Sequence, residues 1–270
     1  MLKDFSLEYF DIIILAGQSN SEGYGFGGVE NPYEPNEQVW YMEGNCIYDA
    51  DKEIWYVNGE FTISRAAEKV FGNELQSTYA LSFAREYINS GLLKEGRKLL
   101  ILRTAVGGTG FLNNQWKMTD VLYLRMMEMI ADALALNKNN RLVGLLWHQG
   151  ETDVDLGASY EIHYYHLMKL LCSVRDEFHV PRLPFIAGDF AHYWKVGKEE
   201  KCAPVIDAIR DVCKDCGYGA FVETDGLLSN FEELNRNTLG WKDDVHFSRK
   251  SCYILGKRYF EAFCRIEKED

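Results

Sequence analysis

Three distant segments of this chain hold the residue types needed for acyl transfer. Gly17-Gln18-Ser19-Asn20 follows directly on the apolar run Ile12-Ile13-Ile14-Leu15. Near the other end, Asp243-Asp244-Val245-His246 puts an Asp and a His three residues apart in one segment. Ser, His and Asp supply a nucleophile, a base to take its proton and a carboxylate to orient the base. A third polar segment, Trp147-His148-Gln149-Gly150-Glu151, again follows an apolar run. Each piece alone has a plain structural reading: a helix N-cap, a surface-loop pair and a turn. Together they point to one site, because two of the three sit where open α/β sheets place ligands, outside the carboxyl ends of strands.

In that reading Ser19 is the nucleophile and His246 the general base, later the acid that protonates the leaving alcohol. Asp243 orients the imidazole, and the side chain of its neighbour Asp244 points elsewhere. An oxyanion hole needs two or three donors. The Ser19 N–H is one, a glycine N–H of Gly107-Gly108-Thr109-Gly110 a second, and the Gln149 side-chain amide a third. The glycine run reads equally well as a flexible turn. Glu151 is open between ordering its loop, holding His246 and contacting substrate.

The elements that must position these groups read as alternating strands and helices. Nearly continuous apolar runs at 11–16, 99–104, 142–147, 184–187 and 220–223 predict strands buried on both faces. Between them, apolar residues at helical spacing predict helices over 78–90, 119–136, 159–178, 203–213 and 248–265. Gly91 is a C′ glycine for the first, and Ser248 an N-cap for the last. The β-α alternation predicts a parallel sheet flanked by helices in one domain spanning 1–270. The stretch 23–72, rich in Gly, Asn, Trp and Tyr, breaks the rhythm. It predicts a long ordered excursion with a small hairpin around 39–57 that walls the cleft. Gly23-Tyr24-Gly25-Phe26-Gly27-Gly28 satisfies G-x-G-x-x-G. It begins well after the strand ends and no helical pattern follows, which argues against a dinucleotide site.

A net charge of −12, from 29 basic and 41 acidic residues, argues against nucleic acid or an anionic membrane as partner. The charge suits a neutral substrate better than a polyanion. No run approaches the ~18 apolar residues of a membrane span, and the first residues do not read as a signal peptide. Seven scattered cysteines then predict reduced thiols and a cytoplasmic protein. Cys213-Lys214-Asp215-Cys216 has C-x-x-C spacing without a second pair nearby, so a structural role is expected over a redox or zinc role.

With these residues in view, the chain resembles the SGNH (GDSL-like) hydrolases, in particular the sialate O-acetylesterase and acetylxylan esterase group, carbohydrate esterase family 6. Gly17-Gln18-Ser19-Asn20 is similar to that group's first block, and Gly107-Gly108-Thr109 to its glycine block. Trp147-His148-Gln149-Gly150-Glu151-Thr152-Asp153 resembles W-x-Q-G-E-x-D, and Asp243-x-Val245-His246 the final D-x-V-H. The resemblance implies a flavodoxin-like three-layer α/β/α sandwich with a central parallel sheet, and removal of O-acetyl groups from sugars. By carry-over Ser19 is nucleophile, His246 base and Asp243 orienter, with Glu151 a rival or partner to Asp243. Ser19, Gly107 or Gly108, and Gln149 form the oxyanion hole. An acetyl-serine intermediate needs no metal and no organic cofactor. The expected partner is a small acetylated sugar, on which any of six tryptophans (Trp40, Trp55, Trp116, Trp147, Trp194, Trp241) could stack, although core packing is the commoner use of each. The long polar segment 225–242 has no residue-by-residue counterpart and could carry substrate contacts of its own. A glycan-binding protein on the same fold is the alternative, although sugar binding alone does not need a complete triad.

Overall fold

The computed structural model describes residues 4–49 and 54–268. In chain order the elements are β1 (Tyr9–Gly17), α1 (Ser19–Glu22), β2 (Val39–Asp49), β3 (Ile54–Arg65), β4 (Lys69–Phe71), β5 (Glu74–Gln76), α2 (Tyr79–Asn89), β6 (Arg97–Arg103) and α3 (Val121–Ala135). They continue with β7 (Arg141–His148), α4 (Glu151–Asp155), α5 (Tyr160–Glu177), β8 (Phe185–Gly188), α6 (His192–Lys195), α7 (Glu199–Asp215), β9 (Gly219–Val222), α8 (Asn230–Leu234) and α9 (Arg249–Lys268). Seven strands form one sheet in the order β3-β2-β6-β1-β7-β8-β9. Every neighbouring pair is parallel except β2 and β3.

Burial on both faces explains the unbroken apolar strands. Ile12, Ile13, Ile14, Leu15 and Ala16 of β1 are all fully buried. Each large one contributes roughly 1.5–3 kcal/mol of transfer free energy. Along β7 the side chains alternate. Trp147 stacks on Phe111 near α5, whereas His148 faces Tyr259 of α9. So α9, with α2 packed on it, covers one face, and α3, α5 and α7 cover the other. The α2–α9 packing is close: a Cβ at Gly256 would lie 2.1 Å from the Tyr79 carbonyl oxygen. The expected helix ends also hold. Ser248 Oγ accepts the Ser251 N–H at 3.2 Å, and Gly91 takes φ 77° after α2.

The excursion 23–72 carries the expected hairpin, and its Tyr24 lines the cleft, but the hairpin belongs to the central sheet. β2 pairs in parallel with β6 through Val39↔Leu99 to Met42↔Leu102, and β3 adds an antiparallel edge. The central sheet is therefore mixed at one edge rather than wholly parallel. Val39, Trp40, Tyr41 and Met42 are buried, and this apolar block makes β2 a sheet strand. Residues 50–53, within the expected hairpin, lie outside the described residues. A second hairpin, β4–β5, was not anticipated. The Gly23–Gly28 run opens no helix. Gly25 instead exchanges two backbone hydrogen bonds with Ser77 and packs against Arg249 and Cys252. Cys172, Cys202, Cys213, Cys216, Cys252 and Cys264 are free thiols. The Cys46 side chain lies outside the described residues. Burial pushes the Cys213 and Cys216 thiols up, which opposes redox reactivity and suits the structural reading.

β1 lies between β6 and β7, and the chain crosses it in passing from one to the other. This is the switch point of an open α/β sheet, where a crevice forms at the carboxyl ends of the strands. Ser19, the Gly107–Gly110 loop and Glu151 follow β1, β6 and β7 at that end.

Candidate active site

The turn that presents Ser19 depends on Gly17. Its φ is 121°, and a Cβ there would lie 2.2 Å from the His148 carbonyl oxygen. Any other residue would push β1 off β7 at the point where the chain turns into α1. The Gln18 N–H donates to His148 O at 2.9 Å, and Gln18 O accepts the N–H groups of Ser21 and Glu22. The Gln18 side chain reaches across to the third segment, where Oε1 accepts the N–H groups of Thr152 (3.2 Å) and Gly150 (3.4 Å). Ser19 is 6% exposed, so its hydroxyl is held at the floor of a cleft. Its N–H finds no acceptor among the described residues.

Asn20 staples the segments together. Its Nδ2 donates to Glu151 Oε1 (2.8 Å) and to Val245 O (3.1 Å), and its Oδ1 accepts the Phe247 N–H at 3.1 Å. One buried amide therefore holds the loop after β1 to the loops that carry Glu151 and His246.

His246 Nδ1 lies 2.8 Å from Asp243 Oδ1, an ion-pair contact, and the same oxygen accepts the His246 backbone N–H at 3.3 Å, with Asp243 fully buried. The other carboxylate oxygen, Oδ2, accepts from Asn230 Nδ2 and Thr238 Oγ1, both at 2.7 Å. Burial alone would raise the Asp243 carboxyl. The hydrogen bond and charge of His246, with Thr238 and Asn230, outweigh it and hold the carboxyl below its ordinary value. The imidazole is packed between aromatic rings. Tyr24 stacks on it at 5.0 Å and 19°, and Trp241 meets it edge-on at 5.9 Å. Ser19 and His246 line the same cleft but are not hydrogen-bonded to one another. Such contacts commonly close only when substrate is bound.

Beside the Ser19 N–H, the other expected oxyanion donors do not stand alike. Gly107 packs against Ser19, but its N–H donates to Glu22 Oε2 at 2.8 Å. Gly108 lines the cleft, and its N–H has no acceptor among the described residues. Gln149 is fully buried, and its Nε2 donates to Asp153 Oδ2 at 2.9 Å. Asp153 also accepts the N–H groups of Phe111 (3.1 Å) and Leu112 (2.8 Å), and lies 3.3 Å from His163 Nδ1. Burial would raise this carboxyl too, but His163 and the two amides hold it low. Asp153 thus anchors the glycine loop to the end of β7, and Gln149 is part of that anchor.

Glu151 lines the cleft, is 1% exposed and partners Asn20 through Oε1, while its Oε2 has no hydrogen bond. Burial pushes its carboxyl up to about 7, against the lowering pull of its own amide, Asn20 and the His246 charge. The nearest ring nitrogen is His148 Nε2 at 4.0 Å. Tyr259 donates its hydroxyl proton to Trp147 O (2.9 Å), so His148 Nδ1 must donate to Tyr259 (3.0 Å), and Nε2 carries the lone pair. Burial lowers His148 to about 3, which keeps it neutral. Of the two candidate carboxylates, Asp243 is the one placed against the His246 ring nitrogen.

The cleft has a volume of about 420 Å³. Its walls include Gln18, Ser19, Tyr24, Gly107, Gly108, Glu151, Thr152, Trp194, Trp241 and His246. Trp40, Trp116 and Trp147 are buried core residues, and among the described residues Trp194 and the 43% exposed Trp241 are the tryptophans that line this cleft. The Trp55 side chain lies outside the described residues. Among the described residues no group of three or more His, Cys, Asp or Glu is placed to hold a metal ion. No described helix is long and apolar enough to cross a membrane.

Sequence reasoning missed Asn20, Asn230, Thr238, Asp153 and Glu22 as supports. Asn20 and Asp153 stood inside quoted motifs, so their position was a usable signal. Asn230 and Thr238 lie in the polar segment 225–242, where no spacing marked them. That segment buttresses Asp243 from behind.

The model of the family described as carbohydrate esterase, sialic acid-specific acetylesterase, matches residues 9–265. No curated protein matches the sequence. Among solved structures, NanS superposes with a TM-score of 0.77 at 18% identity, over 98% of this chain and 99% of that one. A protein from Arabidopsis thaliana gives 0.63 at 19% identity, over 94% and 98%. A carbohydrate acetylesterase from Xanthomonas citri gives 0.59 at 16% identity, over 96% of this chain and 57% of that one. At these identities the likenesses speak for a shared fold.

Proposed function

The chain belongs to the carbohydrate esterase family of sialic acid-specific acetylesterases and is a hydrolase of O-acetyl esters; from that premise we propose that it works through an acetyl-serine intermediate on Ser19. The observation that carries this reading is the buried Asp243–His246 pair at 2.8 Å, sharing one cleft with Ser19.

The reaction runs in two halves. Ser19 Oγ attacks the acetyl carbonyl carbon while His246 Nε2 takes its proton. The carbonyl π pair moves to oxygen, and the oxyanion forms against the N–H groups of Ser19 and Gly108. Collapse breaks the bond to the sugar oxygen, which leaves with the proton from His246 as an alcohol. Water then attacks the acetyl-serine and gives its proton to His246; collapse breaks the bond to Ser19 Oγ, which takes that proton back, so acetic acid and free Ser19 result. Asp243 keeps Nδ1 protonated and Nε2 basic throughout. The glycine loop is held for this task by Asp153 and by Glu22 through Gly107.

The substrate class is an O-acetylated mono- or oligosaccharide, with the exposed Trp241 offering a ring face at the cleft wall. The test is acetate release from 4-nitrophenyl acetate and from acetylated xylo-oligosaccharides and sialic acids, comparing the native chain with Ser19→Ala. Release that disappears in the variant supports the reading. Equal release from both would remove Ser19 from the mechanism. Saturable sugar binding without turnover would favour a glycan-binding protein.

A further inference from the structure

The oxyanion hole is short of a donor. Gln149 Nε2 is committed to Asp153 and the Gly107 N–H to Glu22, which leaves the N–H groups of Ser19 and Gly108. Tyr24 stands beside them. It lines the cleft together with Ser19, Gly107 and Gly108, yet no step of the two half-reactions uses it.

The empty side-chain position of Gly107 shows how near the phenol comes. A Cβ there would lie 3.5 Å from Ser19 Cβ and 3.8 Å from the Tyr24 hydroxyl oxygen. Because the residue is glycine, that volume is open, with the attacking serine on one side and the phenol on another. One face of the Tyr24 ring is taken by the His246 imidazole, stacked at 5.0 Å and 19°. The hydroxyl is the polar part that reaches the Ser19 side.

The Tyr24 backbone is pinned on both sides. The Gly23 N–H donates to Ser19 O at 2.9 Å, Gly25 exchanges two hydrogen bonds with Ser77, and Tyr24 O accepts from Asn230 Nδ2 at 2.8 Å. The same Asn230 amide donates to Asp243 Oδ2, so one side chain fixes the phenol relative to the Asp243–His246 pair. A donor held in this way costs little reorganisation when charge develops. Burial and the Glu22 carboxylate push the hydroxyl up to about 12, so it keeps its proton at neutral pH. The charge of Glu22 is countered from behind, where Oε1 lies 3.9 Å from Lys69 in a recess shared with Arg103.

We propose that Tyr24 is a further catalytic residue, whose hydroxyl donates a hydrogen bond to the oxyanion formed when Ser19 attacks the acetyl carbonyl. This rests on the esterase reading above. As the bond from Ser19 Oγ to carbon forms, the carbonyl π pair moves onto oxygen, and the phenol O–H turns toward that oxygen beside the N–H groups of Ser19 and Gly108. The full negative charge exists only there, so the bond is strongest in the transition state. The phenol proton stays on Tyr24, and the leaving sugar oxygen takes its proton from His246. On collapse the pair returns to the carbonyl and the bond to the sugar oxygen breaks.

The experiment compares the native chain with Tyr24→Phe, which keeps the ring on His246 and removes only the hydroxyl. On 4-nitrophenyl acetate and an acetylated xylo-oligosaccharide, kcat is expected to fall by about 10²-fold, with KM within about threefold and the melting temperature preserved. Phenylboronic acid, whose tetrahedral adduct on Ser19 sets an oxygen at the oxyanion position, is expected to bind the variant roughly tenfold or more weakly. A variant kcat within about threefold of native would overturn the proposal, as would a loss confined to KM. A lower kcat with undiminished boronate affinity would also overturn it, by assigning the loss to ring packing. Acetate release indifferent to Ser19→Ala would instead count against the esterase reading.

Discussion

Asp243→Asn separates the two candidate carboxylates. In the native site Asp243 Oδ2 accepts two hydrogen bonds of 2.7 Å, from Asn230 and Thr238, while Oδ1 accepts the His246 backbone N–H at a longer 3.3 Å and faces His246 Nδ1. An Asn has one acceptor oxygen, and the two shorter side-chain bonds, from Asn230 and Thr238, will claim it over the longer one from the His246 backbone N–H. The new amide then turns its N–H groups toward the imidazole. His246 Nδ1 must accept, the ring proton moves to Nε2, and Nε2 can no longer take the Ser19 proton. A triad with this tautomer defect loses about 10⁴ in kcat, or about 5 kcal/mol of transition-state stabilisation. Size and two of the hydrogen bonds are conserved, so the fold should persist. The assay is kcat on 4-nitrophenyl acetate beside a thermal melt, with Glu151→Gln run in parallel and expected to keep kcat within about tenfold. Asp243→Asn retaining a tenth or more of native kcat, with Glu151→Gln inactive and folded, would refute the assignment and make Glu151 the orienting group.

Gly17→Ala is expected to cost several kcal/mol or prevent folding, because its Cβ would lie 2.2 Å from a backbone oxygen at φ 121°; urea denaturation reads it, and a loss below about 1 kcal/mol would contradict the close approach. Glu151→Gln should change the pH dependence of stability. Burial raises this carboxyl from 4.5 to about 7, so the folded state holds a proton that the unfolded chain releases, and native stability falls as pH climbs through that interval. The variant lacks this loss. Its stability relative to the native chain should grow by up to about 3 kcal/mol between pH 4.5 and 8, and a difference that stays flat would argue against a buried, proton-holding carboxyl. Gln149→Leu tests whether Gln149 supports the glycine loop or meets the oxyanion itself. Its Nε2 contact with Asp153 predicts a fall in kcat of less than tenfold, with a lower melting temperature. A loss of 10²–10³ at unchanged KM would make it a direct donor.

The candidate groups were legible because they sit in short contiguous motifs. The apolar run 12–15 and the glycine after it announce a buried strand and its sharp turn, and Asp243 and His246 meet through local three-residue spacing. The α/β alternation was legible for the same reason, since strands covered on both faces must be apolar throughout. The role of β2 was not. A four-residue apolar block within an aromatic segment pairs as readily in a local hairpin as beside β6, and only the sheet's unfilled edge selects the second. The oxyanion donors were read as residue types, whereas their use depends on partners far along the chain. Glu22 claims the Gly107 amide over 85 residues, and Asp153 claims Phe111 and Leu112 from α4, beyond β7. Which carboxylate faces the imidazole was likewise open in the sequence. Asn20 binds Glu151 across 131 residues, and Asn230 and Thr238 hold Asp243 behind His246. Composition and spacing name the groups that can react. Their orientation is decided by hydrogen bonds between segments that meet only after folding, because a buried donor or acceptor must be satisfied by whatever the tertiary structure brings within reach.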